Sequence, residues 1–198
     1  MTEGLIVAGG YSTRFGEPDK ALARVGGVPM IRQVADALAA VTDGLVVNCR
    51  REQRPELEVA LYPHEPRFVA DLVPDEGPVA GLFTGLRAAR ASRVVAIACD
   101  QPLVTPYDLE CLLAADEGSG AVPETGARTQ PFPAVYPTAA TREACERTLA
   151  CGSRRLAEVL DRLDPVAVPT DPAACESVDT PADRAMVDRR LGGRVPSD

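Results

Sequence analysis

Short apolar runs alternate with amphipathic segments through the first half of the sequence. Leu5 to Ala8, Leu45 to Val47 and Val94 to Cys99 are apolar runs of strand length, typical of strands buried on both faces of a sheet. Between them, Pro29 to Val41 and Val79 to Ala91 are predicted helices, the first from its apolar spacing and leading proline. Because strands that alternate with helices require crossover connections, the pattern predicts an α/β, Rossmann-like three-layer sandwich with a mostly parallel sheet.

The second half of the chain predicts shorter elements in a less regular order. The expected helices are Pro106 to Ala115, Arg142 to Ala150 and Arg154 to Leu163, and the expected strands are Ala121-Val122, Ala134 to Tyr136 and Val166 to Val168. A last helix runs from Pro181 to Leu191, with Thr180 as its N-cap and Asp183 at its third position. We expect one domain over residues 1–191 and a disordered tail over residues 192–198.

Length and charge narrow the class of protein. The 198 residues fit one domain, no apolar run is long enough to span a bilayer, and the N-terminus lacks a signal-peptide pattern. We therefore expect a cytoplasmic protein that binds no membrane. The formal net charge of −8 argues against nucleic-acid binding, because no basic tract neutralises phosphates. The acidic, lysine-poor composition fits a high-salt cytoplasm or a GC-rich genome.

The cysteines favour a structural role. The chain has six cysteines and one histidine, His64, and no two cysteines form a Cys-x-x-Cys pair, so the material for a zinc site is poor. Without a secretion signal, scattered cysteines are expected to be reduced, mostly buried apolar side chains.

A Gly-rich loop follows the first predicted strand and carries the first candidate chemistry. Gly9 and Gly10 allow a tight turn that exposes backbone N–H groups to an anion, and Arg14 and Lys20 add two cations. The loop is neither a P-loop, since Glu17 follows Gly16, nor a Gly-x-Gly-x-x-Gly dinucleotide loop. A plain connection with solvated charges is the alternative. It is weakened because Lys20 is the single lysine among 21 basic residues.

Two further segments lie where a ligand of that loop is expected. Asp100 follows the strand Val94 to Cys99 at the carboxyl edge of the sheet, where ligands of open α/β sheets bind. It is a candidate ligand for Mg²⁺, with a turn-capping aspartate as an equally weighted alternative. Gly81 and Gly85 lie one turn apart on the helix after Gly77-Pro78, which permits close approach of a ligand or of another backbone element.

Together these residues resemble the molybdenum cofactor guanylyltransferase family. The segment from Val7 to Lys20 is similar to its motif Leu-Ala-Gly-Gly-x-Ser-x-Arg-Met-Gly-x-x-Asp-Lys. Asp71 to Leu86 resembles its Asp…Gly-Pro-Leu-Ala-Gly segment, and Cys99 to Pro102 its Cys-Asp-x-Pro metal motif. Further similar segments are Asn48, Gln130-Pro131 and Gly152 to Leu156, so the resemblance runs from Gly4 to about Leu191. It departs at Ser177 to Pro181, where some members have Asn-x-Asn-Thr-Pro.

The resemblance implies a single nucleotidyltransferase domain of the nucleotide-diphospho-sugar transferase type. It implies transfer of GMP from GTP to molybdopterin or the molybdenum cofactor, with Mg²⁺ as cofactor and molybdoenzymes or their chaperones as candidate protein partners. Gly9 favours GTP, because relatives that use CTP tend to have Ala-Ala-Gly in this loop.

The roles that the resemblance implies fall into three groups. The residues implied in catalysis are Arg14, Lys20 and Asp100, with Asp100 on the metal. Those implied in nucleotide binding are Ala8, Gly9, Gly10, Arg14, Lys20, Asn48, Asp71 and Gly81. The candidates for acceptor binding are Gln130, Arg154 and Arg155, the two arginines because a positive group is needed to offset the repulsion between the acceptor phosphate and the triphosphate, with a solvated surface charge as the alternative for each. The alternatives are transfer to another phosphorylated acceptor (adenosylcobinamide phosphate or a sugar phosphate) and a non-catalytic GTP-binding protein that delivers cofactor.

Overall fold

A mixed β-sheet forms the centre of the fold. The structure is a computed structural model, and it describes residues 1–10, 19–71 and 77–192. The strands are β1 (Thr2–Val7), β2 (Arg24–Val25), β3 (Val28–Pro29), β4 (Leu45–Asn48), β5 (Arg67–Val69), β6 (Arg93–Ala98), β7 (Ala121–Thr125), β8 (Arg128–Thr129), β9 (Ala134–Pro137) and β10 (Val166–Pro169). The α-helices are α1 (Met30–Ala39), α2 (Arg54–Leu61), α3 (Gly77–Ala88), α4 (Pro106–Ala115), α5 (Thr138–Ala150), α6 (Leu156–Leu163) and α7 (Pro181–Gly192).

The order of the strands places β1 inside a parallel half-sheet. Along the main sheet the order is β10-β7-β9-β6-β1-β4-β5, and β8 pairs with β7. β6, β1, β4 and β5 are parallel, whereas β9 runs antiparallel to both of its neighbours. In register, Val7 lies opposite Asn48 on one side and Ala98 on the other, so three strands end at the same level. The mostly parallel sheet is confirmed.

Helices cover both faces of this sheet. Because successive side chains of a strand point to opposite faces, Leu5 packs into one hydrophobic core and Ile6 into the other. Apolar side chains of α1, α2 and α4 lie in the core with Ile6, and those of α3, α5 and α6 lie in the core with Leu5. The three-layer prediction is therefore confirmed, and strands buried on both faces explain the continuous apolar runs.

A third, smaller cluster holds the C-terminal helix against the hairpin formed by β2 and β3. Val187 of α7 packs with Val25 and Met30, and the backbone N–H of Gly26 donates to Asp188 over 2.7 Å. The hairpin needs its glycine there, since Gly26 has a φ of +58°. This contact brings the segment before α7 close to residues that follow the Gly-rich loop.

Several predicted boundaries differ from the structure. The helix expected from Arg154 begins only at Leu156, because Arg155 is its extended N-cap with φ −91° and ψ 119°. Gly192, expected in a disordered tail, is the last residue of α7, and residues 193–198 lie outside the described part. Periodicity missed α2, β5 and the hairpin β2–β3, which are short. The expected single-domain extent remains a prediction.

The start of α7 and the boundaries of α4 match the sequence. The Thr180 hydroxyl accepts from the N–H of Asp183 over 3.2 Å, and the Asp183 carboxylate accepts from the N–H of Thr180 over 2.8 Å. Within the described residues, no helix combines the length and the apolar character needed to cross a membrane.

Candidate active site

The candidate site lies at the carboxyl edge of the parallel strands. The N–H of Ala8, just after β1, donates to the Asn48 carbonyl over 2.8 Å, and the N–H of Cys99, just after β6, donates to the Val7 carbonyl over 3.1 Å. Asp71 follows β5 by two residues at the same edge. The sheet register therefore brings together the chain segments that carry most of the predicted site residues, as expected for an open α/β sheet.

Asn48 and Asp71 form a polar pair between two glycines. Asn48 is fully buried, and its Nδ2 donates to Asp71 Oδ1 over 3.0 Å. A Cβ added to Gly9 would lie 3.1 Å from Asn48 Oδ1 and 3.1 Å from Asp71 Oδ2, and one added to Gly81 would lie 2.8 Å from Asn48 Oδ1. At Gly81 an added Cβ would be closer than real Cβ atoms come, and at Gly9 a side chain would require Asn48 and Asp71 to shift by a few tenths of an ångström, so glycine fits both positions. We call Gly9, Asn48, Asp71 and Gly81 the cradle.

Asn48 Oδ1 is a buried acceptor without a hydrogen-bond partner among the described residues. Leaving a buried polar group unpaired costs about 1–3 kcal/mol, so such atoms call for an explanation. A ligand that donates an N–H or O–H into the cradle would remove this cost. The cradle is therefore suited to a polar ligand with donor groups.

Lys20 lies between two carboxylates. Its Nζ donates to Asp100 Oδ2 and to Asp179 Oδ1, each over 2.6 Å. Burial by itself lowers the pKa of Lys20, but the charges and hydrogen bonds of Asp100 and Asp179 outweigh it, so the pKa is raised above its usual value. The ammonium therefore stays charged at neutral pH.

Asp100 holds Lys20 by its side chain and the segment before α7 by its backbone. Its carbonyl accepts from the N–H of Val178 over 2.9 Å. Among the hydrogen bonds of the described residues, its carboxylate pairs with Lys20 and caps no backbone N–H of the turn that follows. The neighbouring Gln101 is buried and donates to the carbonyls of Phe132 and Cys175, which fixes the turn without help from Asp100. The Asp100 carboxylate thus points to Lys20 instead of capping its own turn.

Sequence reasoning did not select Asp179. It belongs to the segment Ser177 to Pro181, which departs from the family pattern and in which the sequence predicts the N-cap Thr180 and the helix start at Pro181. In the structure Ser177 Oγ donates to Asp179 Oδ2 over 2.7 Å, which orients the carboxylate that binds Lys20. The available signal was the helix start at Thr180-Pro181, which places a carboxylate directly before a helix N-terminus.

Sequence reasoning also missed Arg50 and Gln53, which follow β4. Gln53 is buried, and its Nε2 donates to the Ala8 carbonyl over 3.2 Å and to Asp19 Oδ2 over 2.7 Å. Arg50 NH1 donates to the Gly10 carbonyl over 2.7 Å. These side chains contact both ends of the Gly-rich loop.

The three predicted acceptor residues lie in different surroundings. Arg154 lies against the start of α3, since a Cβ added to Gly77 would be 3.4 Å from the Cβ of Arg154. Arg155 is exposed at the N-cap of α6. Gln130 Nε2 donates to Thr125 Oγ1 over 3.1 Å, a contact within the β7 region. Arg154 is therefore the acceptor candidate that the fold brings beside the helix carrying Gly81.

Part of the predicted site lies outside the described residues. This applies to Arg14 and the rest of residues 11–18, and to residues 72–76 after Asp71. The phosphate-binding role of Arg14 stays a prediction from the sequence.

The cysteines nearest the site are poor nucleophiles. Burial raises the pKa of Cys99 well above its usual value and raises that of Cys49 to about 11. Because the thiolate is the reactive form, both side chains are essentially protonated at neutral pH. Their burial agrees with the packing role expected of them.

The family of the chain follows from comparison with known proteins. The model of the MobA-like NTP transferase domain matches residues 4–166, which include every predicted site residue. The chain belongs to this family. It is accordingly a nucleotidyltransferase, and the resemblance stated from the sequence is confirmed. Asp179 lies beyond the matched residues.

Curated relatives of this MobA-like chain carry consistent names. A protein of Natronomonas pharaonis named probable molybdenum cofactor guanylyltransferase is 41% identical over 196 residues, with 95% of this chain and 97% of the relative covered. A Pseudomonas putida protein named molybdenum cofactor guanylyltransferase is 38% identical over 161 residues, which is 80% of this chain and 81% of the relative.

Solved structures share the fold of the MobA-like chain. The molybdopterin-guanine dinucleotide biosynthesis protein A of Archaeoglobus fulgidus has a TM-score of 0.76 at 25% identity, over 98% of this chain and 100% of the other. A nucleotidyl transferase of Methanothermobacter has a TM-score of 0.82 at 22% identity, over 98% and 99%, and shows the fold alone. The predicted nucleotidyltransferase type of α/β fold is confirmed.

Proposed function

We propose that this protein transfers GMP from GTP to the terminal phosphate of molybdopterin or the molybdenum cofactor, releasing pyrophosphate and forming the guanine dinucleotide. The observation that carries the proposal is the Lys20 ammonium between Asp100 and Asp179, in a chain whose relatives are named molybdenum cofactor guanylyltransferases. The charged lysine suits the phosphates of a nucleoside triphosphate, and the polar cradle suits its nucleoside.

The nucleoside end belongs in the cradle. Asn48 Oδ1 accepts a donor there, and the N–H groups of guanine and the hydroxyls of ribose are donors of this kind. A base that fails to supply the donor leaves the acceptor buried and unpaired. Hydrogen-bond recognition of this type discriminates strongly between bases.

The phosphate end belongs to Lys20, to Arg14 and to the backbone N–H groups of Gly9 and Gly10. A phosphate oxygen of the acceptor attacks the α-phosphorus of GTP, and the bond from that phosphorus to the bridging oxygen of pyrophosphate breaks. Because the attacking oxygen is already anionic, no strong general base is required. The residues contribute alignment and neutralisation of charge on the α-phosphate and the leaving group.

The carboxylates suit a divalent cation. Asp100 and Asp179 each place an oxygen 2.6 Å from one ammonium, so this position accommodates positive charge, and hard carboxylate oxygens are ligands that Mg²⁺ accepts. Asp100 would hold Mg²⁺ together with phosphate oxygens, and the ion supplies Lewis-acid stabilisation of phosphate charge when bound. Lys20, released from one carboxylate, would then pair with a phosphate oxygen.

The acceptor belongs beside the start of α3. Arg154 lies against Gly77, and the same helix carries Gly81 of the cradle. A cation at this place offsets the repulsion between the acceptor phosphate and the triphosphate. Arg155 and Gln130 remain further candidates from the sequence, as do a cytoplasmic location and molybdoenzymes or their chaperones as protein partners.

Pyrophosphate release is the decisive assay. We expect release that requires GTP, Mg²⁺ and molybdopterin together, and a guanine dinucleotide detected by mass. GTP should also raise the Tm more than ATP or CTP at equal concentration. Release with CTP instead would move the protein to cytidylyl transfer, and a GTP-induced Tm shift without release would indicate a non-catalytic binding protein.

A further inference from the structure

A buried glutamine joins the two ends of the Gly-rich loop. Gln53 lies just beyond β4, and its Nε2 donates both to the Ala8 carbonyl, before the loop, and to Asp19 Oδ2, after it, over 3.2 Å and 2.7 Å. A buried amide is costly unless it is hydrogen-bonded, and these contacts satisfy it. Because the two acceptors lie at opposite ends of the loop, the Gln53 amide also links those ends to each other.

Arg50 completes the same network. Its NH1 donates to the Gly10 carbonyl over 2.7 Å and lies 3.4 Å from the Gly9 carbonyl oxygen, and its NH2 lies 3.9 Å from Asp19 Oδ2. The backbone N–H of Arg50 donates to Gln53 Oε1 over 2.6 Å, so each of the two residues orients the other.

These contacts set the direction of the backbone carbonyls at Ala8, Gly9 and Gly10, where the loop begins. The carbonyls of Ala8, Gly9 and Gly10 are turned toward Gln53 and Arg50. In a trans peptide the N–H points opposite to the carbonyl of the preceding residue. The N–H groups of Gly9 and Gly10 are therefore turned away from Gln53 and Arg50, which leaves them available to an anion on the other side.

At the second end of the loop, Asp19 fixes the start of the short helix that carries Lys20. Asp19 Oδ1 accepts from the N–H of Ala21 over 3.0 Å and so caps the short helix Lys20–Leu22, while Oδ2 binds Gln53. One carboxylate thus links the start of the Lys20 helix to Gln53. Gln53 and Asp19 thus connect the Ala8 end of the loop to the start of the Lys20 helix.

We propose that Gln53 and Arg50 are positioning residues that hold the Gly9-Gly10 amides and Lys20 at the separation a triphosphate requires. The inference rests on the proposed function, because it concerns the binding of GTP at that site. Neither the Gln53 nor the Arg50 side chain is proposed to contact the nucleotide. Both act through the loop ends.

The test compares two glutamines that donate to backbone carbonyls. Gln53→Met removes the link with little change in size, and Gln33→Met is the matched control, since Gln33 Nε2 donates to the Val25 carbonyl over 2.7 Å outside the loop. We expect Gln53→Met to raise the Kd and KM for GTP by about tenfold or more, the scale of one or two lost hydrogen bonds. The KM for molybdopterin should stay unchanged, and Gln33→Met should bind GTP as the unaltered protein does.

A polarity exchange separates positioning from general stability. Gln53→Glu places two carboxylates face to face and should weaken GTP binding, whereas Gln53→Glu with Asp19→Asn restores a donor-acceptor pair and should recover part of the affinity. A double-mutant cycle gives the coupling of the two residues. No recovery in a folded double variant would contradict the proposed link.

The outcomes separate this inference from the proposed function. If the unaltered protein binds no GTP, both fall. If it binds GTP and folded Gln53→Met binds equally well, only the positioning role is overturned. Should Gln53→Met fail to fold, Arg50→Met, which keeps Gln53, is the deciding variant with the same expected rise in the Kd for GTP.

Discussion

The chain's single lysine carries its charge between two carboxylates, so the effect of replacing it depends on shape as well as on charge. Lys20 is 12% exposed, Asp100 is 19% exposed and Asp179 is 55% exposed, which places the Lys20–Asp100 pair in the less hydrated position. A compact ammonium reaches both oxygens at once. A planar guanidinium is larger and distributes its donors differently.

Lys20→Ala should therefore damage turnover more than Lys20→Arg, and arginine should restore it only in part. The loss of one charge-assisted contact to a phosphate costs about 1.5–3 kcal/mol, or about ten- to a hundredfold in kcat/KM. Steady-state kinetics with GTP measures this, and Arg32→Ala, whose ion pair lies on α1, is the control expected to keep full activity. Full activity of Lys20→Arg would refute the role of a point charge.

Asp100→Asn should lose most turnover while the protein folds normally. The substitution keeps size and shape but removes the charge proposed to hold Mg²⁺, and Asp179 still pairs with Lys20. We expect a fall in kcat of more than about tenfold in a protein that still folds cooperatively. Asp36→Asn, which alters an ion pair on α1, serves as the matched control. Near-normal activity would leave Asp100 with a structural role only.

The residue at which α6 begins determines how the side chains of Arg154 and Arg155 are oriented relative to each other. A helix from Arg154 would have pointed the two arginines about 100° apart. Because α6 begins at Leu156, both precede the helix in non-helical backbone, and the helix periodicity does not relate their directions. Contact with Gly77 brings Arg154 to the start of α3.

At least one of Arg154→Ala and Arg155→Ala should weaken binding of molybdopterin and leave GTP binding intact. The expected loss is about tenfold for one charge-assisted contact, and the contact with Gly77 favours Arg154 as the residue affected. Separate titrations of GTP and of molybdopterin with each variant measure the two affinities. Normal molybdopterin binding in both, or an equal loss of GTP, would place the acceptor elsewhere.

Across the whole molecule, the two ends of the parallel strands carry different groups of polar side chains. The carboxyl edge carries the candidate site, and the amino edge carries a buried ionic contact. The Glu3 side chain, 6% exposed, binds the Arg67 guanidinium and accepts from the N–H of Ala91 over 2.8 Å. Burial by itself raises the pKa of Glu3, but the N–H groups of Ala91 and Arg90 and the charge of Arg67 outweigh it, so the pKa is lowered.

Glu3→Gln should lower the free energy of unfolding by about 1–3 kcal/mol at neutral pH, because the buried donors lose a charged acceptor. A lowered pKa in the folded state means that this contribution is present above the unfolded value of about 4.3 and is lost as the pH falls through the folded value. Urea unfolding of both proteins between neutral and acidic pH measures the difference. A difference that stays constant across that range would contradict the assignment.

The local pattern of apolar and polar residues determined the three-layer α/β arrangement and those site residues that directly follow a strand. Short continuous apolar runs are typical of strands covered on both faces, and a polar or glycine residue directly after such a strand lies at the edge of the sheet. Gly9 and Asp100 were therefore recoverable from their positions relative to β1 and β6, whereas Asn48 was selected through the family resemblance. The prediction failed where elements are short, as at α2 and β5, because few residues leave the periodicity undefined.

Only the tertiary structure decided which distant side chains meet. Lys20 pairs with Asp100, 80 residues away, and with Asp179, 159 residues away, and neither pairing follows from spacing along the chain. The strand order places β6 beside β1, and the packing of α7 on the β2–β3 hairpin carries Asp179 to Lys20. Likewise, Gln53 reaches both loop ends because β4 pairs with β1. Periodicity reports which face of an element is buried, whereas contacts between elements depend on how those faces pack.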